Sequence, residues 1–358
     1  MMLKQKGLSL VELLISITLG LILLTGVMKV FLSSKTVFST QQALSRVQET
    51  GRLAVDFISR DIRMAGFMGC DSNPIKGQSK NITNILNTPN DFRFNFTEYI
   101  RGYTAETVPA GLSPTPKPLT DILVIRSANG NGARTTANST ATTLNIAVDS
   151  TEAGACGTTD RISGFCVNDI AVLTDCVKSS VFQITAITAG GAVSHQSGSA
   201  ATVSGNYTPG NSVTNWSTQA GAVFKSGAEL LLASNTIYFI ATGTSQRPSL
   251  WQKINGASAV EILEGVENMS IKYGIDTDAG FDLIPNIYKK AADVTAAEWD
   301  RVVSVRVELL VASIEDNVTT EIQKYSFNVD EVPDPVDPND HRLRQVFTSA
   351  VGIRSRLE

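Results

Sequence analysis

Residues 8–28 are apolar except for Ser, Thr, Gly and one acid, Glu12. As a helix at about 1.5 Å per residue this run covers about 30 Å, the thickness of a bilayer's hydrocarbon core. Beyond Lys29 the pattern changes: Val37, Leu44, Val47, Ala54, Ile58, Ile62 and Ala65 recur at spacings of three, four and seven, which predicts an amphipathic helix. No proline occurs before Pro74, so one helix can run from about Leu8 to Ala65, a rod of roughly 87 Å, with Gly66 and Gly69 as terminators. Gly51 reads as an interruption of the apolar face. From Asp121 onward β-branched and aromatic residues alternate with polar ones. Strands are expected at Asp121–Ser127, Thr143–Val148, Asn168–Thr174, Val181–Ile187, Leu230–Ala233, Thr236–Ala241, Met269–Tyr273, Val302–Ala312 and Lys324–Val329. The Ser/Thr/Asn/Gly-rich tracts Ser127–Ala141 and Ala189–Ala222 read as surface loops. The fold class is therefore α+β: a long N-terminal helix, spanning then amphipathic, followed by one large β-sheet-rich globular head, with room for two sublobes.

Length and charge narrow the functions. The chain has 358 residues, long enough for a substantial core, and a net charge of −4, so no basic excess points to nucleic acid and none is expected as a partner. No G-x-S-x-G, H-E-x-x-H or P-loop motif occurs, and two histidines leave few bases, so the chain is not expected to be an enzyme or to carry a cofactor. Lys4 and Lys6 precede the apolar run, which predicts a cytoplasmic N-terminus with everything after Lys29 outside. A cleavable secretory signal has a similar basic start, but this run is longer than a typical signal core and leads into more helix rather than a small-x-small cleavage site. A plain membrane anchor leaves Glu12 unexplained, because a carboxylate there costs about 2.5 to 3.5 kcal/mol on insertion scales and usually has a functional partner.

The segment Lys6-Gly7-Leu8-Ser9-Leu10-Val11-Glu12-Leu13-Leu14-Ile15 resembles the class III leader of type IV pilins and type II secretion pseudopilins. The resemblance implies that residues 1–7 are a leader removed by a prepilin peptidase between Gly7 and Leu8, with methylation of the new terminal amine. It implies that 8–28 form the transmembrane and assembly helix, 29–66 the amphipathic second half of the pilin helix, and 67–358 a periplasmic β-rich head. Glu12 becomes the fifth mature residue and is implied to face the terminal amine of a neighbouring subunit. Most relatives start with Phe where this chain has Leu8.

The head sharpens the likeness. Ser59-Arg60-Asp61-Ile62-Arg63-Met64-Ala65-Gly66-Phe67 with Gly69-Cys70, Gly265-Val266-Glu267-Asn268 with Tyr273-Gly274-Ile275-Asp276, Trp299 to Val307, and Arg342-Leu343-Arg344-Gln345-Val346-Phe347 resemble the PilW group of minor pilins. This implies a low-copy structural subunit of a type IV pilus, in a priming or tip complex. Its implied partners are the prepilin peptidase, other minor pilins, the major pilin, a PilY-type tip adhesin and the inner membrane. The implied location is the bacterial inner membrane, then the pilus. A J-type minor pseudopilin of type II secretion and a tip adhesin or DNA-binding subunit are the alternatives.

Cys70, Cys156, Cys166 and Cys176 all follow the spanning segment and are expected to form disulfides in an oxidising compartment. Three connectivities are open; Cys156 to Cys166 as a local clasp and Cys70 to Cys176 are favoured. No metal site is expected, since the cysteines lack a C-x-x-C and His195 and His341 match no zinc pattern. Asp276, Asp278 and Asp282 have calcium-loop spacing without the later ligands, and a plain turn explains them better. The seven N-x-S/T sequons reflect an abundance of Asn and Thr. Arg342, Arg344, Arg354 and Arg356 read as a solvated strand edge, with an anionic partner as the alternative.

Overall fold

The structure, a computed structural model, describes residues 9–69, 82–203, 206–212, 223–328 and 336–357. Helix α1 spans Leu10–Met64, about 83 Å. Ser9 is its N-cap and accepts from the Glu12 amide at 3.3 Å, satisfying one of the helix's orphan donors. At the other end Ala65 is the C-cap, and Gly66 follows at φ +78°, a conformation that glycine adopts without strain. A side chain there would also strike the Tyr99 ring.

Two sheets sit on the second half of α1. The smaller is antiparallel, in the order Ile287–Lys289, Val266–Ile275, Val302–Ala312, Arg344–Gly352. The larger runs Ile82–Asn84, Ser179–Gln183, Ile170–Thr174, Glu229–Thr242, Pro248–Ile254, Val260–Glu264, with Asp121–Arg134 on the other side of Glu229–Thr242 and Ile100–Thr104 beyond it. One core joins all three layers: Val47, Ala54, Ile58 and Ile62 of the helix pack with Met269, Ile271, Val305 and Leu309 of the smaller sheet and Ile125, Tyr238 and Leu250 of the larger. A second cluster, around Leu144, Phe165, Phe182 and Phe224, fills the distal end.

Several sequence expectations are corrected. Leu230–Ala233 and Thr236–Ala241 form one strand, Glu229–Thr242. The intervening Ser234 and Asn235 stay paired to Ser127 and Arg126, and the Asn235 side chain donates to the Arg93 carbonyl at 2.6 Å, so polarity there does not break the strand. Asp121–Arg134 continues into the tract expected as loop, because the opposite strand keeps offering partners as far as Glu229. Short strands Ala192–Ser194, Ala201–Val203 and Asn206–Thr208 occur in the second loop tract, whose residues 213–222 lie outside the described ones. Lys324–Val329 is no strand over its described residues; Tyr325 makes an isolated bridge to Val336. Pro248–Ile254, Val260–Glu264 and Arg344–Gly352 were absent from the expected strands.

Candidate functional site

The first half of α1 is bare. Every residue from Ser9 to Ser39 is exposed, and the most apolar 18-residue stretch is not covered at all by the rest of the chain. Such a surface is stable only against lipid or other helices. Hydroxyls of its apolar run are satisfied locally: Ser16, Thr18 and Thr25 donate to carbonyls three or four residues back, which lowers the cost of carrying them into a medium without water. Glu12 lies in the first turn, where the helix dipole favours an anion, and among the described residues no cation pairs with it. Gly7 and Leu8 lie outside the described residues.

Burial starts at Ala43 and continues through Val47, Gly51, Ala54, Ile58 and Ile62. Val37 and Leu44, expected in the buried stripe, are 52% and 38% exposed: Val37 precedes Thr40, the first half-buried residue, whereas Leu44 sits about 100° round the helix from the buried Ala43, off the covered face. Gly51 does not interrupt the face. A methyl group on it would lie 2.2 to 2.4 Å from three Phe347 ring atoms, so its missing side chain is where the ring of the C-terminal strand seats.

Polar contacts fix the helix against the head. Tyr238 donates its hydroxyl to Asp61 at 2.7 Å and accepts from Gln252 at 2.8 Å. Burial raises the Asp61 pKa, partly opposed by the Tyr238 hydrogen bond. The Ser355 hydroxyl donates to the Ala65 carbonyl at 2.5 Å, and the Gly66 amide to the Arg126 carbonyl at 2.8 Å. Arg126 is fully buried, donates to the Glu98 and Phe92 carbonyls at 2.8 and 2.6 Å, and has its pKa pulled down by burial to about 10, so it remains charged at neutral pH.

Arg344 corrects the expectation of a solvated arginine edge. Its side chain is only 5% exposed and forms a fork on Glu267, at 2.7 and 3.0 Å, and a second on Asp340, at 2.5 and 2.7 Å. Burial works against its charge, but the two carboxylates outweigh that and raise its pKa. The bidentate geometry suits a guanidinium, which a lysine could not reproduce. Sequence reading missed this site because Glu267 and Arg344 are 77 residues apart.

The disulfide Cys156–Cys166 closes the hairpin of Thr151–Cys156 and Thr159–Ile162. Cys176 is disulfide-bonded, at the turn between Ile170–Thr174 and Ser179–Gln183. Cys70 lies outside the described residues. Asp276, Asp278 and Asp282 bring oxygens within 4.8 Å of one another, but both Asp276 oxygens already accept backbone amides, from Asp278 at 2.9 Å and Leu283 at 2.7 Å. The cluster is a turn held by its own carboxylate.

Comparison with known proteins adds three findings. The model of a family described as Prokaryotic N-terminal methylation motif matches residues 2–28, and that of Type IV Pilus-assembly protein W matches residues 237–355. A solved type IV-like pilin from Thermus thermophilus shares 16% identity, with 39% of this chain and 73% of that one covered and a TM-score of 0.23. No curated protein matches the chain.

Proposed function

Because this chain is a PilW-like minor pilin of the type IV class, we propose that it is a structural subunit of the complex that primes or caps a type IV pilus. The carrying observation is the bare apolar half of α1 with a single acid in its first turn. In the proposed sequence the two lysines hold the N-terminus in the cytoplasm, a prepilin peptidase cuts between Gly7 and Leu8, and the terminal amine is methylated. Anchored in the inner membrane with its head in the periplasm, the subunit waits for a neighbour. Docking brings the Glu12 carboxylate to the neighbour's terminal amine in lipid, where each charge offsets the other's desolvation and either alone is costly. Other minor pilins and the major pilin are its helix partners, and a PilY-type adhesin its proposed partner at the tip. The PilW-type match over 237–355 favours this reading over a J-type pseudopilin.

The same reading extends to the head's oxidation. Gly69 packs so closely on Thr174 that a methyl group would lie 2.7 Å from its side chain. This brings the chain just before Cys70 to the turn that carries Cys176 and supports a Cys70 to Cys176 bond.

Glu12→Leu tests the assembly role. The variant should insert, begin at Leu8 by mass spectrometry and fold its head, yet be lost from sheared pili, while Glu12→Asp falls between. Wild-type levels of Glu12→Leu in pili by immunoblot would overturn the charge-pairing role.

A further inference from the structure

The strand Arg344–Gly352 is the outer strand of the smaller sheet. In an antiparallel pair alternate residues bond inward to the partner or point outward, and two contacts fix the phase here. The Ile353 amide donates inward to the Val303 carbonyl at 2.9 Å. Arg344 points outward: its amide donates to the Gln323 side chain at 2.8 Å and its carbonyl accepts from the same side chain at 2.9 Å. The pairing continues without a register shift from Ala312–Arg344 to Ser304–Gly352. Val346, Thr348, Ala350 and Gly352 therefore turn their backbone groups outward, and among the described residues nothing bonds them. Thr348, Ala350 and Gly352 are exposed.

Proteins usually blunt such an edge with charge, proline, a bulge or shortness. The other outer strands do: Ile82–Asn84 and Ile287–Lys289 have three residues each, Ile100–Thr104 carries Arg101, and Val260–Glu264 carries Glu261 and Glu264 beside a register shift. Residues 345–353, QVFTSAVGI, contain no charge and no proline.

We propose that this edge is a docking strand for an uncharged strand of a different pilin-like subunit, added antiparallel to Val346–Gly352. The proposal rests on the assembly role above. The strand runs along α1, since Phe347 seats on Gly51 and Ser355 bonds to Ala65. Gly51 to Ala65 rises about 21 Å along the helix, close to the roughly 20 Å that six extended residues span from Phe347 to Ile353, after which the helical turn Arg354–Leu357 carries Ser355. A second copy paired antiparallel through this edge would have its α1 pointing the opposite way, which one membrane forbids to both. An exact twofold along the strand would oppose N–H to N–H. A neighbour whose helix lies parallel to α1 in the same membrane carries its head at the same level, and any of its strands that descends against its own helix has the direction this edge requires.

The test uses the full chain in detergent, alone and co-expressed one at a time with the other N-methylated pilin-like subunits of its cell, followed by hydrogen exchange. With one of them, the amides of Val346, Thr348 and Ala350 should slow by about tenfold or more, while those of Gln345, Phe347 and Ser349, already bonded inward, change little. Thr348→Pro removes an outward N–H only, so recovery of that complex should fall by about tenfold at an unchanged melting temperature; Ala350→Pro serves if Thr348→Pro melts early. A complex with α1 protected and the edge amides unchanged overturns strand docking and leaves the assembly role standing. Edge amides already slow in the chain alone would make a second copy the occupant and overturn the proposal. Failure to form any complex, together with absence from pili, overturns both.

Discussion

Gly51→Ala should destabilise the native chain and stabilise a Phe347→Ala variant, a reversal of sign that follows from how the C-terminal strand meets α1. Alanine gains about 1 kcal/mol over glycine in a helix interior. Against that gain, its methyl group would sit 2.2 to 2.4 Å from the Phe347 ring. The ring must then leave its seat or the strand must shift, and overpacking of this kind costs about 1 to 3 kcal/mol. Taking 2 as the midpoint leaves a net loss of about 1 kcal/mol in the native background. With the ring removed, the clash vanishes and the propensity gain of about 1 kcal/mol remains. The coupling between the two sites is then about 2 kcal/mol, within the range for residues in contact. Thermal unfolding of the full chain in detergent, followed by tryptophan fluorescence, reads this out, since Trp299 is buried edge-on to Tyr273 at 4.7 Å within the same core. Melting should fall by about 2 °C for Gly51→Ala alone and rise by a similar amount in the Phe347→Ala background. The same sign in both backgrounds would refute the seat, and a rise in the native chain would mean that the ring leaves without cost.

Three further outcomes are expected. Arg344→Met, which keeps the volume and removes the charge, should cost about 3 kcal/mol by leaving Glu267 and Asp340 without their shared cation; a denaturation midpoint equal to the native one would show that the forks are idle. Asp61→Asn should raise the melting temperature at pH 7 and leave it unchanged near pH 3, because burial raises the folded pKa of Asp61, so its ionised form weakens the fold as pH climbs past the ordinary carboxylate range of about 4, whereas Asn still accepts from Tyr238. Equal shifts at both pH values would remove Asp61's ionisation from the account. The exported chain should show no free thiol on denaturing alkylation, and Cys70→Ala should lower head stability by about 2 to 5 kcal/mol if it closes the long loop to Cys176; unchanged melting would sink that pairing.

By itself the sequence determined the elements whose signals are local. An apolar run of spanning length, a lone Glu12, glycines at the helix end and β-branched alternation in Val302–Ala312 each carry their physics within a few neighbouring residues, and the structure realises α1 and that strand accordingly. Strand continuity was less legible, since Ser234 and Asn235 look like a break until Ser127, Arg126 and Arg93 supply their partners. Only tertiary structure decided that Gly51 is a seat rather than a gap, that Arg344 is buried between two carboxylates, and that the Val346–Gly352 edge is left open beside the helix. These depend on which distant segments arrive: a glycine has no side chain to announce its neighbour, and an arginine four residues from Asp340 reads as solvent-facing until Glu267 arrives from 77 residues away to complete its burial. Periodicity shows which face of an element is buried, whereas the packing of the sheets on α1 selects what meets it.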